Sequence, residues 1–320
     1  MISKKNINNT IYLFFFSHLL LWTIIPSFSN TNLPLDTIEA LAWGSSLEWG
    51  YNKHPPFSAF AVEFFYNIFG SRDWAYYLLS QIFVIASFYF VWKFSLLILE
   101  DKFFSFLAVL TLSSIFFYNF TTPEFNVNVS QLPFWALSVY FFWQGLNINK
   151  KIHWILFGIF SALGFLSKYL FIYILIAFLI FFILNIKIFK KSWKGYFLSI
   201  LVSLILVIPH FIWLIENNFS TIFYGLNRTG LSEYSMINHF KNPIELLIKQ
   251  MIILIPFFVM FFSILKKRKF NINTKNKKII FLITINLIPI LLMLITSLIS
   301  GAKIRTMWMT PFYLFFGTFF

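Results

Sequence analysis

Few residues in this chain can do acid–base or ionic chemistry, and they fall in short clusters. Only 11% of the 320 residues are charged, and none is cysteine. Thiol nucleophiles, Cys-type zinc sites, iron–sulfur clusters and disulfides are therefore excluded. The first cluster holds Asp36 and Glu39, whose i, i+3 spacing puts both carboxylates on one face of a helix. Pro34 marks a helix start, so Asp36 serves either as an N-terminal cap or as a general base. The same stretch continues to Gly50-Tyr51-Asn52-Lys53-His54-Pro55-Pro56, where two prolines preset the direction of the next helix. His54 is either an exposed turn residue or part of a site. A second cluster, Thr122-Pro123-Glu124-Phe125-Asn126-Val127-Asn128, offers a carboxylate and two amides. It suits a hydroxyl-rich ligand, a cation or a helix cap equally well. Lys168 either snorkels to an interface or holds a phosphate as a point charge. His210 and Trp213 follow Pro209, with His210 either structural or a ligand, and Arg228 is a candidate bidentate partner for phosphate or carboxylate. Lys303 and Arg305 complete the set.

The elements that must position these groups are membrane helices. Hydrophobic residues make up 59% of the chain and aromatics 22%, with a mean hydropathy of +0.78. One soluble core cannot hide that much apolar surface. Apolar runs at 11–29, 75–98, 103–120, 131–148, 153–167, 169–186, 195–215, 246–265 and 279–299 read as spans, with an incomplete one from 307. With Lys4 and Lys5 inside, alternation puts most of the 25 basic residues in cytoplasmic connections, including Lys187, Lys190, Lys191, Lys194, Lys266, Lys267, Arg268, Lys269 and Lys275. The net charge of +14 is then a topology signal rather than the mark of a nucleic-acid partner. Most acids fall on the opposite side, together with Lys53, Lys168, Arg228, Lys303 and Arg305 against the charge bias. That gathering of misplaced cations points to an anionic ligand at the outer leaflet. Residues 57–70 read as a short interfacial helix within an outer segment 30–70. The first apolar run is read as retained rather than cleaved, and the chain as one domain over 1–320 that is incomplete at its C-terminus. No Walker loop, GxGxxG, HExxH or serine elbow is present, which argues against cytoplasmic nucleotide chemistry.

In their order, the outer loops resemble those of the polyprenyl-phosphate-sugar-dependent glycosyltransferases of the GT-C fold, nearest to family 39, the dolichyl-phosphate-mannose-protein mannosyltransferase type, and its bacterial relatives such as the lipid A aminoarabinose transferases. The matching segments are Asp36-x-x-Glu39, Gly50-Tyr51-x-x-His54-Pro55-Pro56, Thr122-Pro123-Glu124-Phe125-Asn126-x-Asn128, Gly164-x-x-Ser167-Lys168-Tyr169, Pro209-His210-x-x-Trp213-Leu214 and Gly301-x-Lys303-x-Arg305-x-x-Trp308-x-x-Pro311. The resemblance implies an all-α polytopic membrane enzyme with its site on the periplasmic or exterior side of a bacterial inner membrane. It implies a sugar donor on a polyprenyl phosphate and an acceptor that is lipid A or lipopolysaccharide, another glycan, or a protein. Asp36 maps onto the base, with Glu39 or Glu124 shaping the acceptor site, while Lys168 and Arg228 map onto the groups that hold the lipid phosphate. Lys53, His54, Asn126, Asn128, His210, Lys303 and Arg305 are the accompanying binding candidates. No cofactor is required; a divalent cation near Asp36, Glu124 and His54 is compatible with the residues, though no ligand spacing demands it. Two positions depart from the pattern: Glu124 stands where many members have Asp, and His54 where the aminoarabinose branch has Lys. The rival reading, a transporter or flippase for a lipid-linked saccharide, calls for mid-span ionisable residues and inverted repeats, which the sequence does not display.

Overall fold

The computed structural model describes residues 7–230, 235–264 and 276–320. The basic residues Lys4, Lys5, Lys266, Lys267, Arg268, Lys269 and Lys275 lie outside the described residues. Among the described residues fourteen α-helices follow one another: α1 Ile7–Ser29, α2 Leu35–Gly44, α3 Phe57–Phe69, α4 Asp73–Leu99, α5 Lys102–Leu110, α6 Val127–Ser130, α7 Leu132–Ile148, α8 Lys151–Ser167, α9 Ile172–Leu184, α10 Ile186–Glu216, α11 Ser220–Arg228, α12 Asn238–Ile264, α13 Lys277–Ser300 and α14 Phe316–Phe319. No strand occurs among the described residues, so the all-α expectation holds.

Helices α1, α4, α10, α12 and α13 are long and apolar enough to cross a membrane. Much of the surface of α10 and α12 is bare of protein contacts, with Ile205, Ile215, Val259 and Phe262 pointing outward. Such faces need lipid as their solvent, and the chain is a multi-pass membrane protein. Inside, α4 packs against α1 and α7, α7 against α8, α8 against α10, and α9 and α12 against α13. An aromatic cluster locks four of these together: the Phe142 ring on α7 lies 4.4 Å from Phe178 on α9 and 5.8 Å from Phe281 on α13. Phe157 on α8 closes the group at 5.2 Å from Phe142.

Among the described residues five of the ten expected spans are helices long and apolar enough to cross a membrane; the runs 131–148 and 153–167 give the shorter helices α7 and α8, and three other stretches depart further. The run 103–120 is helical only to Leu110 and then passes into 3-10 turns at Thr111–Ser114 and Phe116–Tyr118. The hydroxyls of Thr111, Ser113 and Ser114 bond back to the carbonyls of Ala108, Leu110 and Thr111, which tightens the helix where it should have continued. The run from 307 is a 3-10 segment, Thr306–Tyr313, containing Pro311. Between 169 and 216 the break is Asn185 alone, so Lys187, Lys190, Lys191 and Lys194 ride on the first turns of α10 rather than in a loop.

Alternation of the long helices brings α2, α3, α6 and α11 to one end of the bundle. At the other end Lys278 pairs with Glu100 and Lys277 bonds Asn147. Helix α3 packs its Ser58, Ala59 and Val62 side inward and stops at Gly70, which has φ +67°. Helices α8 and α10 approach closely at Gly158, whose carbonyl accepts from Ser203 Oγ at 2.7 Å. A Cβ at Gly158 would sit 2.5 Å from the Ser199 carbonyl oxygen, so one methyl must force the helices apart. Gly158→Ala is expected to destabilise the detergent-purified protein by about 1–3 kcal/mol, the usual cost of overpacking. Gly225→Ala on α11, where a Cβ meets nothing within 4 Å, is the silent control. Equal thermal midpoints for the two variants would contradict the tight α8–α10 contact.

Candidate active site

The site is assembled from residues at the starts of α2 and α6 and at the end of α8. Pro34 occupies the cap position of α2 and contributes no side-chain cap. The Asp36 carboxylate does not serve as the cap either: the Asp36 backbone N–H donates to Glu124 Oε1 at 3.3 Å. Glu124 Oε2 accepts from Asn126 Nδ2 at 3.1 Å. Asn126 in turn caps α6, its Oδ1 accepting from the N–H groups of Asn128 and Val129. Asn128 Oδ1 accepts from Lys168 Nζ. One chain of hydrogen bonds thus runs from the start of α2 through the second outer loop to the end of α8.

Lys168 is buried, 7% exposed, and forms no ion pair among the described residues. Its ammonium lies 5.1 Å from the Trp308 ring centroid, a cation–π contact. Burial pushes this lysine down to about 7, partly opposed by the Asp36 charge. Asp36 is shifted the other way: desolvation and then the Glu39 charge raise its carboxyl, with Lys53, Lys168 and Arg228 opposing. Desolvation also raises Glu124, helped by the Asp36 charge. Lys53 pairs with Glu39 and lies 5.9 Å from the Tyr224 ring centroid. Burial, then Lys168 and Lys53, push His54 down to about 3, so its imidazole is neutral at physiological pH.

Two cavities and a cleft between them share these residues. A largely apolar cavity of about 340 Å³ is lined by Lys53, His54, Lys168, Tyr224, Arg228 and Trp308, among others. A second, of about 400 Å³, has Glu124, Asn126 and Asn128 in its wall. The small cleft between them holds Asp36, Glu39, His54 and Asn126, so it shares His54 with the first cavity and Asn126 with the second. This places Asp36 beside both. Among the described residues no group of three or more His, Cys, Asp or Glu side chains is gathered as a metal site would require.

Three of the sequence candidates sit elsewhere. His210 is fully buried and both ring nitrogens are engaged: Nδ1–H donates to the Trp49 carbonyl at 2.6 Å and the Tyr169 hydroxyl donates to Nε2 at 2.8 Å. It pins the first outer loop to α10 and leaves no nitrogen for a ligand. Beside it Gly50 lies flat on Trp213, where a Cβ would come within 2.3 Å of the ring. Lys303 and Arg305 are exposed and line neither cavity, although Ala302, Ile304 and Trp308 of the same loop do line the first. Trp308 and Tyr224, the aromatic partners of the two lysines, had no assigned role in the sequence; the hint available was an aromatic within each outer cluster of cations.

A helical bundle that spans a membrane and brings one buried lysine together with half-buried carboxylates beside two cavities at one end has the form of a GT-C-type membrane fold. Residues 53–213 match the family described as dolichyl-phosphate-mannose-protein mannosyltransferase, and the chain belongs to that family. It is a membrane glycosyltransferase with a polyprenyl-phosphate-linked sugar as its general donor class. No curated protein and no solved structure matches it.

If Lys168 holds an anion in the first cavity it does so in its protonated form, so above about pH 7 binding must draw a proton into the protein. The affinity for a polyprenyl phosphodiester, whose single charge is constant in this range, is expected to fall with rising pH by up to about tenfold per unit. Lys168→Arg, with a guanidinium that does not titrate there, should flatten that profile. A flat wild-type profile would remove Lys168 from anion binding.

Proposed function

We propose that the protein transfers a sugar from an isoprenoid-phosphate carrier to an acceptor hydroxyl on the non-cytoplasmic face of a bacterial inner membrane, with Asp36 as general base. The observation that carries this reading is the difference between the three candidate carboxylates. Glu39 is neutralised by Lys53, and both oxygens of Glu124 accept hydrogen bonds. Asp36 alone of the three has carboxylate oxygens with no protein donor among the described residues, and it faces the cleft between the cavities. A raised pKa also makes it a stronger base than an ordinary aspartate.

In the reaction, the acceptor hydroxyl gives its proton to Asp36 as its oxygen bonds to the anomeric carbon. The bond from that carbon to the carrier phosphate oxygen breaks, and its electron pair leaves on the phosphate. Lys168 and Arg228, both in the wall of the first cavity, meet the charge that develops there, the type of electrostatic stabilisation that usually dominates such barriers. The apolar remainder of that wall suits an isoprenoid chain. Lys53 acts at the rim, tied to Glu39, while neutral His54 sits between the cavities and offers a hydrogen bond without adding charge. The charge bias of the connections supports the cytoplasmic assignment of the opposite end.

Asp36→Asn keeps size and polarity and removes the proton acceptor. Single-turnover transfer by the folded variant is expected to fall by about 10²–10⁴-fold, with carrier binding largely kept. Arg228→Ala should weaken both carrier binding and turnover. Near-normal turnover by Asp36→Asn would pass the role of base to Glu124 or Glu39. For sidedness, a reporter fused after Lys278 should read as cytoplasmic and one at Gly230 as external; the reverse pattern would turn the site to face the cytoplasm.

A further inference from the structure

The two cavities differ in charge. Lys53, Lys168 and Arg228 all line the first. The wall of the second contains one carboxylate, Glu124, and no lysine or arginine. Its other polar groups are neutral amides and hydroxyls, such as Asn30, Thr121 and Asn126. Against them stands an apolar wall in which the Trp22 and Phe120 rings meet edge to face, 5.3 Å apart. Pro26, Pro34 and Pro123 stiffen the enclosure.

We infer that this second cavity takes the acceptor as an uncharged, hydroxyl-rich saccharide, seated with its C–H face against the corner that Trp22 and Phe120 form and its hydroxyl edge toward Glu124 and Asn126. The inference rests on the transfer reading above and names the acceptor class for that site. A sugar ring has one face of C–H groups and a rim of hydroxyls. The C–H groups carry slight positive charge and suit an aromatic face. The Glu124 carboxylate has about four lone-pair positions and uses two within the protein, so acceptor hydroxyls find free acceptors there. A phosphorylated acceptor would instead bring its charge beside Glu124 in a partly desolvated wall with no cation to offset it, the type of mismatch that excludes ligands. An extended peptide fits poorly too. The prolines offer no N–H, and no strand edge exists among the described residues for a peptide backbone to pair with. A cavity of about 400 Å³ is of small-molecule size. Ile25, exposed on α1, lies in its wall, so the saccharide reaches it either free or as the headgroup of a lipid.

The test uses the whole protein in lipid nanodiscs. The probes are neutral di- and trisaccharides of glucose, galactose, mannose and N-acetylglucosamine, the 6-phosphates of the same sugars, and serine- and threonine-containing peptides. Each neutral glycan is offered free and on an acyl anchor; stronger binding of the anchored form identifies a glycolipid headgroup, and equal binding a free glycan. Neutral glycans are expected to bind in preference to the phosphorylated ones and the peptides. Trp22→Ala should weaken that binding by roughly tenfold, the scale of losing one aromatic anchor, while Trp22→Phe keeps most of it and Phe120→Ala gives an intermediate loss. Undecaprenyl phosphate binding, measured on the same samples, should be the same in wild type and Trp22→Ala, which shows that the variant is folded. Preference for phosphorylated glycans or peptides, neutral-glycan binding indifferent to both aromatic variants, or no glycan binding at all would overturn the inference. Failure of the wild type to bind undecaprenyl phosphate would overturn the transfer reading instead.

Discussion

A lysine ammonium held in the protein interior, with no carboxylate against it among the described residues, is the constraint around which one end of this bundle is built. Burying a cation costs free energy unless other groups replace its hydration. Lys168 has the Asn128 carbonyl and the Trp308 face, which serve as partial substitutes and leave the charge uncompensated. Asn128 can serve only because Asn126 caps α6 and fixes the turn that carries it. Asn126 is in turn held by Glu124, and Glu124 by the backbone N–H of Asp36 in the first turn of α2. The position of Asp36 therefore follows from the same chain of contacts that positions Lys168. The proposed base and the proposed phosphate ligand belong to one polar network, although they lie in different loops.

The broken elements make room for this network. Had 103–120 continued as a helix, the second outer loop would start further from the bundle axis. Instead, 3-10 turns bring Tyr118 inward, where its hydroxyl donates to the Thr310 carbonyl at 2.7 Å. That bond ties the second outer loop to the 3-10 segment carrying Trp308. Similarly, His210 and Thr221 hold the first outer loop through the carbonyls of Trp49 and Tyr51. Irregular backbone of this kind is tolerated near a membrane only where it is buried in protein or lines a cavity, and here it does both.

The parts of this arrangement that were legible in the sequence are those set by composition and local pattern. The long spans follow from apolar length, and the start of α2 from Pro34. The clustering of Asp36, Glu39, Lys53, Glu124 and Lys168 follows from the few polar segments between apolar runs. What the sequence could not reveal depends on contacts between distant segments. Asp36 is not the cap of its own helix because a carboxylate 88 residues away takes that place. His210 reads like a ligand until a carbonyl and a hydroxyl are found on its two nitrogens. Lys303 and Arg305 look equivalent to Lys168 as misplaced cations, yet they are exposed and Lys168 is not. The Thr-Leu-Ser-Ser stretch is apolar enough to pass as helix, yet it tightens into a 3-10 turn in which its hydroxyls bond back to backbone carbonyls.

The coupling between Asp36 and the cations has a consequence for the order of events in the proposed reaction. In the empty site, Lys53, Lys168 and Arg228 all favour the ionised form of Asp36, opposing the effect of its burial. Asp36 is then ready to accept a proton but is held back as a base by positive charge nearby. A carrier phosphate seated against Lys168 and Arg228 offsets that charge, so the proton affinity of Asp36 rises once the donor is in place. The negative charge that builds on the phosphate as the glycosidic bond breaks strengthens the effect further, at the moment when the acceptor proton must be taken up. Because the interaction energy between charges falls with distance and with solvent access, this linkage depends on the close, partly desolvated geometry of the cleft. A base far from the cations would have the same strength with or without donor, and would activate an acceptor when no sugar was available to receive it.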